Sequence, residues 1–435
     1  MNLFPKQKET INNFLWRSLQ VFSKSGVTFL IFFISAKVLE PIEFGLLGYL
    51  MTVVGMLTIF CDFGLSIAVS KFVAEYKARQ SEKLNRILFS VSTIAITASA
   101  LITVVVILFG NIIFKDNYRY ILYFLPYLFF MPLTSIVDGL YRGLKQFRKL
   151  ALVSSVIGMF SLVISFILIK QFFLVGAIFS QNILYLLLAV FLYGFQKNFS
   201  FRFDKTLLVE VVKYALVLGI SGVAYFLYSG VDILILKQFG FIVEIGYYEI
   251  INKVFQLLLI PFVILGQVIA PNITEYITVG NITKIKDQLK GYAIRCVIVG
   301  LALSVLLHFG LPIVLKNMLP EYYTVSFLMI MNILLVLLPF KIWGSLLNHG
   351  FVTPSGFAKI VAITTSIGGI LNVIFDYIFI NLFGFVGVFW VTLVIHSMSI
   401  LTVSLYYCSK IGRETGIVGV CDTSEGTVQT TKDLQ

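Results

Sequence analysis

Charged residues are scarce in this sequence. Only 12% of the 435 residues are Asp, Glu, Lys or Arg, about half of the roughly 25% that is usual in soluble domains. Hydrophobic residues make up 59% of the chain, Phe alone occurs 42 times, and the mean hydropathy is +0.96. This composition argues against a soluble globular fold before any motif is considered.

Cysteine and histidine are also few, and the usual catalytic motifs are missing. The four Cys and three His residues show no C-x-x-C and no metal-ligand spacing, which argues against a disulfide framework or a metal site. The sequence contains no G-x-x-x-x-G-K-[ST], H-E-x-x-H or G-x-S-x-G motif, so no built-in ATPase or hydrolase is indicated. We therefore expect no enzyme activity, no metal and no cofactor.

Long apolar runs occupy most of the chain. A helix needs about 20 mainly apolar residues to cross a hydrocarbon core of ~30 Å. The runs are long and continuous, whereas barrel strands are short and alternate in polarity, so helices are favoured. The twelve segments that meet this length are 14–36, 44–70, 87–110, 120–141, 150–169, 173–195, 207–236, 246–271, 291–315, 322–350, 360–380 and 384–409.

The net charge of +12 follows the predicted topology. Most of the 33 Lys and Arg residues lie at the two ends of the chain and in the loops after even-numbered segments. An excess of Lys and Arg marks cytoplasmic loops. The pattern predicts that both termini are cytoplasmic, and it explains the basic charge without nucleic acid. The polar residues 411–435 are predicted to form a disordered cytoplasmic tail.

The two halves of the chain resemble each other. The aligned stretches are 35–50 with 234–250, which pairs Gly45 with Gly246, and 169–180 with 380–391, which pairs Gly176 with Gly387. The repeat predicts two six-helix lobes, 1–206 and 207–410. Because six is even, both lobes enter the membrane in the same direction, as in parallel transporter repeats. We therefore expect an all-α polytopic membrane protein with a central cavity between its lobes.

Two predicted helices carry cations inside an apolar run. On the first, Arg17, Gln20 and Lys24 share one face at helical spacing. Charge in hydrocarbon is costly and usually faces a cavity or a partner. Lys24 lies deep enough to favour the cavity, whereas Arg17 could equally extend to the interface. On the eighth, Glu249 and Lys253 are spaced for a cavity face or, alternatively, for an i,i+4 salt bridge with each other.

Three aspartates, Asp62, Asp232 and Asp376, lie within predicted helices. Each shares its helix face with Ser, Thr, Tyr or Asn residues. Buried carboxyl groups of this kind take up protons or cations in transporters. Hydrogen bonds to neighbouring helices are the equally acceptable alternative for each of them.

Four motifs carry a family resemblance. In order they are "DFGLSIAVSKFVAEY", "GLYRGLKQFRK", "GVDILILKQFGFIVEIGYYEIINKV" and "ILNVIFDYIFINLFGFVGVFWVT". The chain resembles the polysaccharide-exporter branch of the MATE-like (MOP) flippase superfamily over nearly all of residues 1–410. Within that branch it is similar to O-antigen flippases of the Wzx type. Lys253, in "INKV", has no counterpart in the first half, so the two lobes are not equivalent at that position.

The resemblance implies a flippase of the bacterial inner (cytoplasmic) membrane that works by alternating access. Its substrate would be an oligosaccharide linked to a polyprenyl diphosphate of the undecaprenyl type. Membrane lipid and the glycan polymerase machinery would be its partners. The main alternative is a drug or cation antiporter of the same superfamily, which would need a mainly acidic cavity. A third possibility is a scaffold for glycan assembly that transports nothing.

Site residues follow from combining the resemblance with the polar helix faces. The cations expected to bind the diphosphate are Arg17, Lys24, Lys253 and Lys341. The amides expected to line the glycan site are Gln20, Asn252, Gln256, Asn348 and Asn372. The carboxylates considered for ion coupling are Asp62, Asp232 and Asp376.

Overall fold

The computed structural model describes residues 4–79, 83–196, 200 and 202–421, and these form helices joined by short turns. The first half contains α1 (Phe4–Val38), α2 (Pro41–Asp62), α3 (Leu65–Ala78), α4 (Leu84–Phe114), α5 (Tyr118–Tyr123), α6 (Leu125–Gly143) and α7 (Phe147–Gly194). The second half contains α8 (Lys205–Ser229), α9 (Val231–Gln238), α10 (Ile242–Thr278), α11 (Ile282–Met318), α12 (Val325–Leu347), α13 (Ala358–Phe383) and α14 (Phe385–Cys421). Short 3-10 turns cover Lys115–Asn117 and Pro320–Tyr322, and a π turn covers Asn348–Val352.

The described helices make a multi-pass membrane protein. Ten helical segments are long and apolar enough to cross a bilayer. One of them, α7, reverses direction at Phe173 (φ 49°, ψ −125°) and therefore supplies two crossings. With α6, the described residues give the twelve crossings that the sequence predicts. We call the side of the membrane on which α1 begins the proximal side, and the opposite side the distal side.

The end of the last helix differs from the prediction. The apolar span of α14 ends at Ile411, close to the predicted end, but the helix continues to Cys421. The first part of the predicted disordered tail is therefore helical. Residues 422–435 lie outside the described residues.

Both halves contain the same tight turn between their last two helical crossings. A Cβ on Gly176 would lie 2.0 Å from the carbonyl oxygen of Leu168, and a Cβ on Gly387 would lie 2.3 Å from that of Phe379. The residue that opens each turn has a positive φ, 49° in the first half and 63° in the second. The predicted pairing of Gly176 with Gly387 is confirmed at the level of backbone geometry.

The halves meet on the distal side through α2 and α10, a contact that we call the distal contact. A Cβ on Gly45 would lie 1.8 Å from the carbonyl oxygen of Ile242, and a Cβ on Gly246 would lie 3.3 Å from the Gly45 nitrogen. Gly45 and Gly246 are the residues that the repeat pairs. Equivalent residues meet each other only near a two-fold axis, so the approximate axis of the repeat passes between these two glycines.

The halves also meet on the proximal side, where charged groups take part. Lys83 Nζ lies 3.1 Å from Glu210 Oε1, and the Tyr76 hydroxyl donates to Glu210 Oε2 at 3.1 Å. Arg86 Nη1 lies 3.6 Å from Asp204 Oδ2. Hydrogen bonds from a hydroxyl and an amide in the first turn of α8 hold the pKa of the Asp204 carboxyl below its ordinary value. The proposed lobe boundary at 206/207 falls in that same turn.

Two glycines of α2 offer a matched test of the distal contact. Gly45→Ala forces α2 and α10 apart, and overpacking of this kind costs typically about 1–3 kcal/mol. A methyl group on Gly55 would meet no atom within 4 Å, so Gly55→Ala should be neutral or raise stability by up to about 1 kcal/mol through helix propensity. Thermal unfolding of the purified protein in detergent should therefore show a lower Tm for Gly45→Ala only. Equal Tm values for the two variants would contradict the close approach.

Candidate functional site

A cavity of about 210 Å³ lies between α1 and α10. Its wall contains one cationic side chain from each half of the chain, Lys24 and Lys253. The full lining is Lys24, Ser25, Thr28, Phe29, Tyr185, Lys253, Gln256 and Leu257. We call it the two-lysine cavity. Of the residues predicted from sequence to bind a substrate, the structure brings Lys24, Lys253 and Gln256 together here.

Aromatic rings and one carboxylate surround the two ammonium groups. Lys24 Nζ lies 5.5 Å from the centre of the Tyr185 ring, and Lys253 Nζ lies 5.5 Å from that of Phe32. Such contacts stabilise a cation in a site that is short of water. Lys253 Nζ also lies 3.8 Å from Glu249 Oε2, the salt bridge considered from their spacing. With hydroxyl and amide groups beside two cations, the cavity is suited to a polar anion.

Arg17 and Gln20 belong to a different network. Asp138 Oδ2 lies 2.9 Å from Arg142 Nε, and Asp138 Oδ1 lies 3.9 Å from Arg17 Nη1. Gln20 accepts a hydrogen bond from Arg17 and donates one to Asp138 at 3.3 Å. Gln20 was expected to line the glycan site. It is only 3% exposed and is not part of the wall of the two-lysine cavity. Arg17 shares a helix face with Lys24 but is paired with an acid on α6.

A second polar cluster is buried in the second half of the chain around Asp232. Its carboxylate accepts hydrogen bonds from the Tyr248 hydroxyl (3.2 Å), the Thr392 hydroxyl (2.9 Å) and the Asn372 amide (2.5 Å). The donors come from α10, α14 and α13. Asn372 was expected to line a glycan site, but it is fully buried and bonded to Asp232 instead, because it lies where α13 packs against α9.

Asp376 lies next to Asp232 in this cluster. It is fully buried, and within the described part of the chain no residue outside this carboxylate pair donates a hydrogen bond to its carboxylate oxygens; the side-chain amide oxygen of Asn372 has no donor there either. Two adjacent buried carboxylates repel each other strongly in a low-dielectric interior unless a proton or a cation lies between them. We call the group Asp232, Asn372, Asp376 and Thr392 the carboxylate cluster. Its unpaired oxygens suit a proton or one hard cation.

The remaining predicted residues lie apart from the two-lysine cavity. Lys341 on α12 interacts electrostatically with Asp232, so it belongs with the carboxylate cluster. Asn252 is within hydrogen-bonding reach of Tyr248, at the edge of the same cluster. Asn348 begins the π turn, and its buried side-chain amide oxygen has no hydrogen-bond partner among the described residues.

Asp62 does not join the other two aspartates. It accepts hydrogen bonds from the Ser66 amide (3.2 Å) and hydroxyl (3.0 Å). The chain between these residues passes through the left-handed region at Phe63 and Gly64, and Asp62 satisfies an amide in the first turn of α3. These hydrogen bonds at the break between α2 and α3 explain why an acidic residue lies at position 62.

Sequence reasoning missed Thr392, Tyr248 and Tyr185, which contact the predicted residues. Thr392 lies in an apolar run and also bonds its own helix backbone at Val388, as many membrane threonines do. Only the packing of α14 against α9 distinguishes it. Within the described residues, no group of three or more His, Cys, Asp or Glu side chains is placed to hold a metal ion.

Comparisons with known proteins agree with this architecture. Residues 10–277 match the family model described as polysaccharide biosynthesis protein. The chain is 24% identical over 407 residues to an uncharacterized membrane protein of Methanocaldococcus jannaschii, covering 89% of this chain and 94% of that relative.

Two solved structures show the fold. An inward-facing multidrug resistance MATE family transporter of the MOP superfamily gives a TM-score of 0.76 at 14% identity, over 92% of this chain and 99% of that one. The lipid II flippase MurJ in an inward closed conformation gives 0.73 at 16% identity, over 95% and 94%. The predicted resemblance to the MOP superfamily is thereby confirmed. The chain belongs to the polysaccharide biosynthesis protein family and has the fold of MOP-superfamily transporters.

Proposed function

We propose that this protein is a flippase for an oligosaccharide linked to a polyprenyl diphosphate. The observation that carries the proposal is the two-lysine cavity, in which one cation from each half faces a space between the distal and proximal contacts. A diphosphate is a compact, multiply charged anion that two lysines can hold from opposite sides. The likeness to a lipid II flippase and the polysaccharide family match support the same substrate class.

The geometry suggests how the substrate would be held. Lys24 and Lys253 would bind the diphosphate, and Gln256 with the adjacent hydroxyl groups would bind the first sugar. At about 210 Å³ the cavity is smaller than the ~300–1,000 Å³ of typical ligand pockets. It therefore accepts the head group only after the lobes separate, while the polyprenyl tail stays in the bilayer.

We assign the proximal side to the cytoplasm, because the basic loops lie there. The substrate would enter from that side and leave after the distal contact opens. On the strength of the sequence resemblance, we propose an O-antigen or similar surface-glycan unit on undecaprenyl diphosphate, and a bacterial inner membrane location. Arg17 and Arg142, on the proximal side, would attract the anion before it reaches Lys24.

We assign energy coupling to the carboxylate cluster. Uptake of a proton or a cation between Asp232 and Asp376 would remove their repulsion and tighten the packing of α9, α13 and α14. Release would loosen it. The cluster lies in one lobe only, so coupling would be asymmetric. In the first half, the repeat places Phe32 at the position of Asp232, and no acid is present there.

The drug or cation antiporter is the second candidate, because the multidrug transporter shares this fold. A cationic drug would have to bind beside Lys24 and Lys253, which repel it. The acidic cluster is fully buried and offers a drug no surface. The cavity chemistry therefore favours an anionic substrate.

Removing either cavity lysine should stop glycan-lipid transport. In proteoliposomes that contain a fluorescent lipid-linked oligosaccharide, Lys24→Ala and Lys253→Ala should each slow translocation at least about tenfold, the effect of losing ~1.4 kcal/mol of binding. Lys37→Ala, which removes an exposed lysine from the end of the same α1, should transport normally. Undiminished transport by Lys24→Ala would refute the assigned site. Drug efflux without glycan transport by the wild type would favour the antiporter.

Asp376→Asn should uncouple transport from its driving ion. The substitution keeps the shape of the side chain but removes the charge that attracts a proton or cation. Translocation that an imposed proton or sodium gradient accelerates in the wild type should lose that acceleration in the variant. Asp287→Asn, at an exposed position, serves as the control. A variant that still responds fully to the gradient would exclude the cluster from coupling.

A further inference from the structure

Glu249 lies between Lys253 of the two-lysine cavity and the distal contact. Its Oε2 atom lies 3.8 Å from Lys253 Nζ, and its side chain is only 12% exposed. On its other side it covers Gly48 of α2, where an added Cβ would lie 3.0 Å from Glu249 Cγ. Gly48 is one helical turn from Gly45, the closest point of the distal contact. One side chain thus connects a lysine of the substrate cavity with the surface that closes it.

The charge balance at this point depends on Lys253. The facing helix, α2, contains no Lys or Arg in its whole length, and Lys253 is the charge partner of Glu249. Removing one member of a buried ion pair leaves an uncompensated charge, which is strongly destabilising. A charged Glu249 is therefore stable within the closed distal contact only while Lys253 remains paired with it.

We propose that Glu249 couples occupation of the two-lysine cavity to opening of the distal contact. This inference rests on the proposed function, since it takes an anionic diphosphate as the ligand. When the diphosphate binds Lys253, it competes with Glu249 for the ammonium group. Glu249 is then left charged and unpaired between α2 and α10, and separation of these helices exposes it to water.

The same competition sets the order of the steps in the transport cycle. In the empty protein, Lys253 pairs with Glu249 and the distal contact stays closed. A ligand shifts a conformational equilibrium only as far as its affinities for the two states differ. The diphosphate would bind the open state better, because only there is Glu249 solvated. After release, Lys253 pairs with Glu249 again and the contact closes.

Spin labels can follow the distal side directly. Glu40→Cys and Val325→Cys place labels at exposed positions at the distal ends of the two lobes, in a chain whose native cysteines are replaced by serine. Double electron–electron resonance in nanodiscs would compare distances with and without undecaprenyl diphosphate. We expect the lipid to shift the wild-type distribution to longer distances.

Glu249→Gln should separate binding from opening. With no carboxylate competing for Lys253, the variant should bind undecaprenyl diphosphate about tenfold more tightly, equivalent to ~1.4 kcal/mol. It should nevertheless show no lipid-dependent shift, because no unpaired charge forms. Glu244→Gln removes a charge from the first turn of the same helix and should behave as the wild type.

Lys253→Ala gives an independent check. It leaves Glu249 without its partner, so the distal side should be open even without lipid. A closed distal side in Lys253→Ala, or a wild-type shift in Glu249→Gln, would overturn this inference while leaving the proposed function standing. A wild-type protein that binds no undecaprenyl diphosphate would refute the proposed function and, with it, the inference.

Discussion

Charge inside a hydrocarbon layer needs a partner, and this constraint accounts for the arrangement of polar groups in the protein. An unpaired ion at the centre of a bilayer costs at least a few kcal/mol. Arg17 meets the requirement with Asp138, and Lys253 meets it with Glu249. Asp232 meets it with three hydrogen-bond donors. Lys24 contacts an aromatic ring but forms no salt bridge with an acid among the described residues; in the proposed function, the anionic substrate supplies its partner.

The helices and their repeat were predictable, because both depend on local sequence. A long apolar run specifies a crossing wherever it occurs, and a glycine at a close approach leaves a recognisable gap in side-chain volume. Gly176 and Gly387 lie in matching turns, and Gly45 meets Gly246, as the alignment of the halves suggested. The end of α14 was less predictable, because polar residues that follow a membrane span can continue the helix in water.

The site was predictable only in part, because side chains on one helix face can meet different partners. Arg17 and Lys24 share a face of α1, yet α6 supplies an acid to the first and α7 supplies a ring to the second. Asp62 and Asp376 have similar neighbours in sequence. One stabilises the start of a helix, and the other is buried beside a second carboxylate. Such differences arise from the packing of distant segments, which no local pattern encodes.

The central claim is that the diphosphate of a lipid-linked glycan binds between the two lobes. The most direct measurement is a cryo-electron microscopy structure of the protein in nanodiscs with undecaprenyl diphosphate. The account predicts density for the two phosphates between the ammonium groups of Lys24 and Lys253, with the polyprenyl chain leaving between α1 and α10 into the bilayer. Phosphate density at Arg17 and Arg142 alone, with the two-lysine cavity empty, would contradict it.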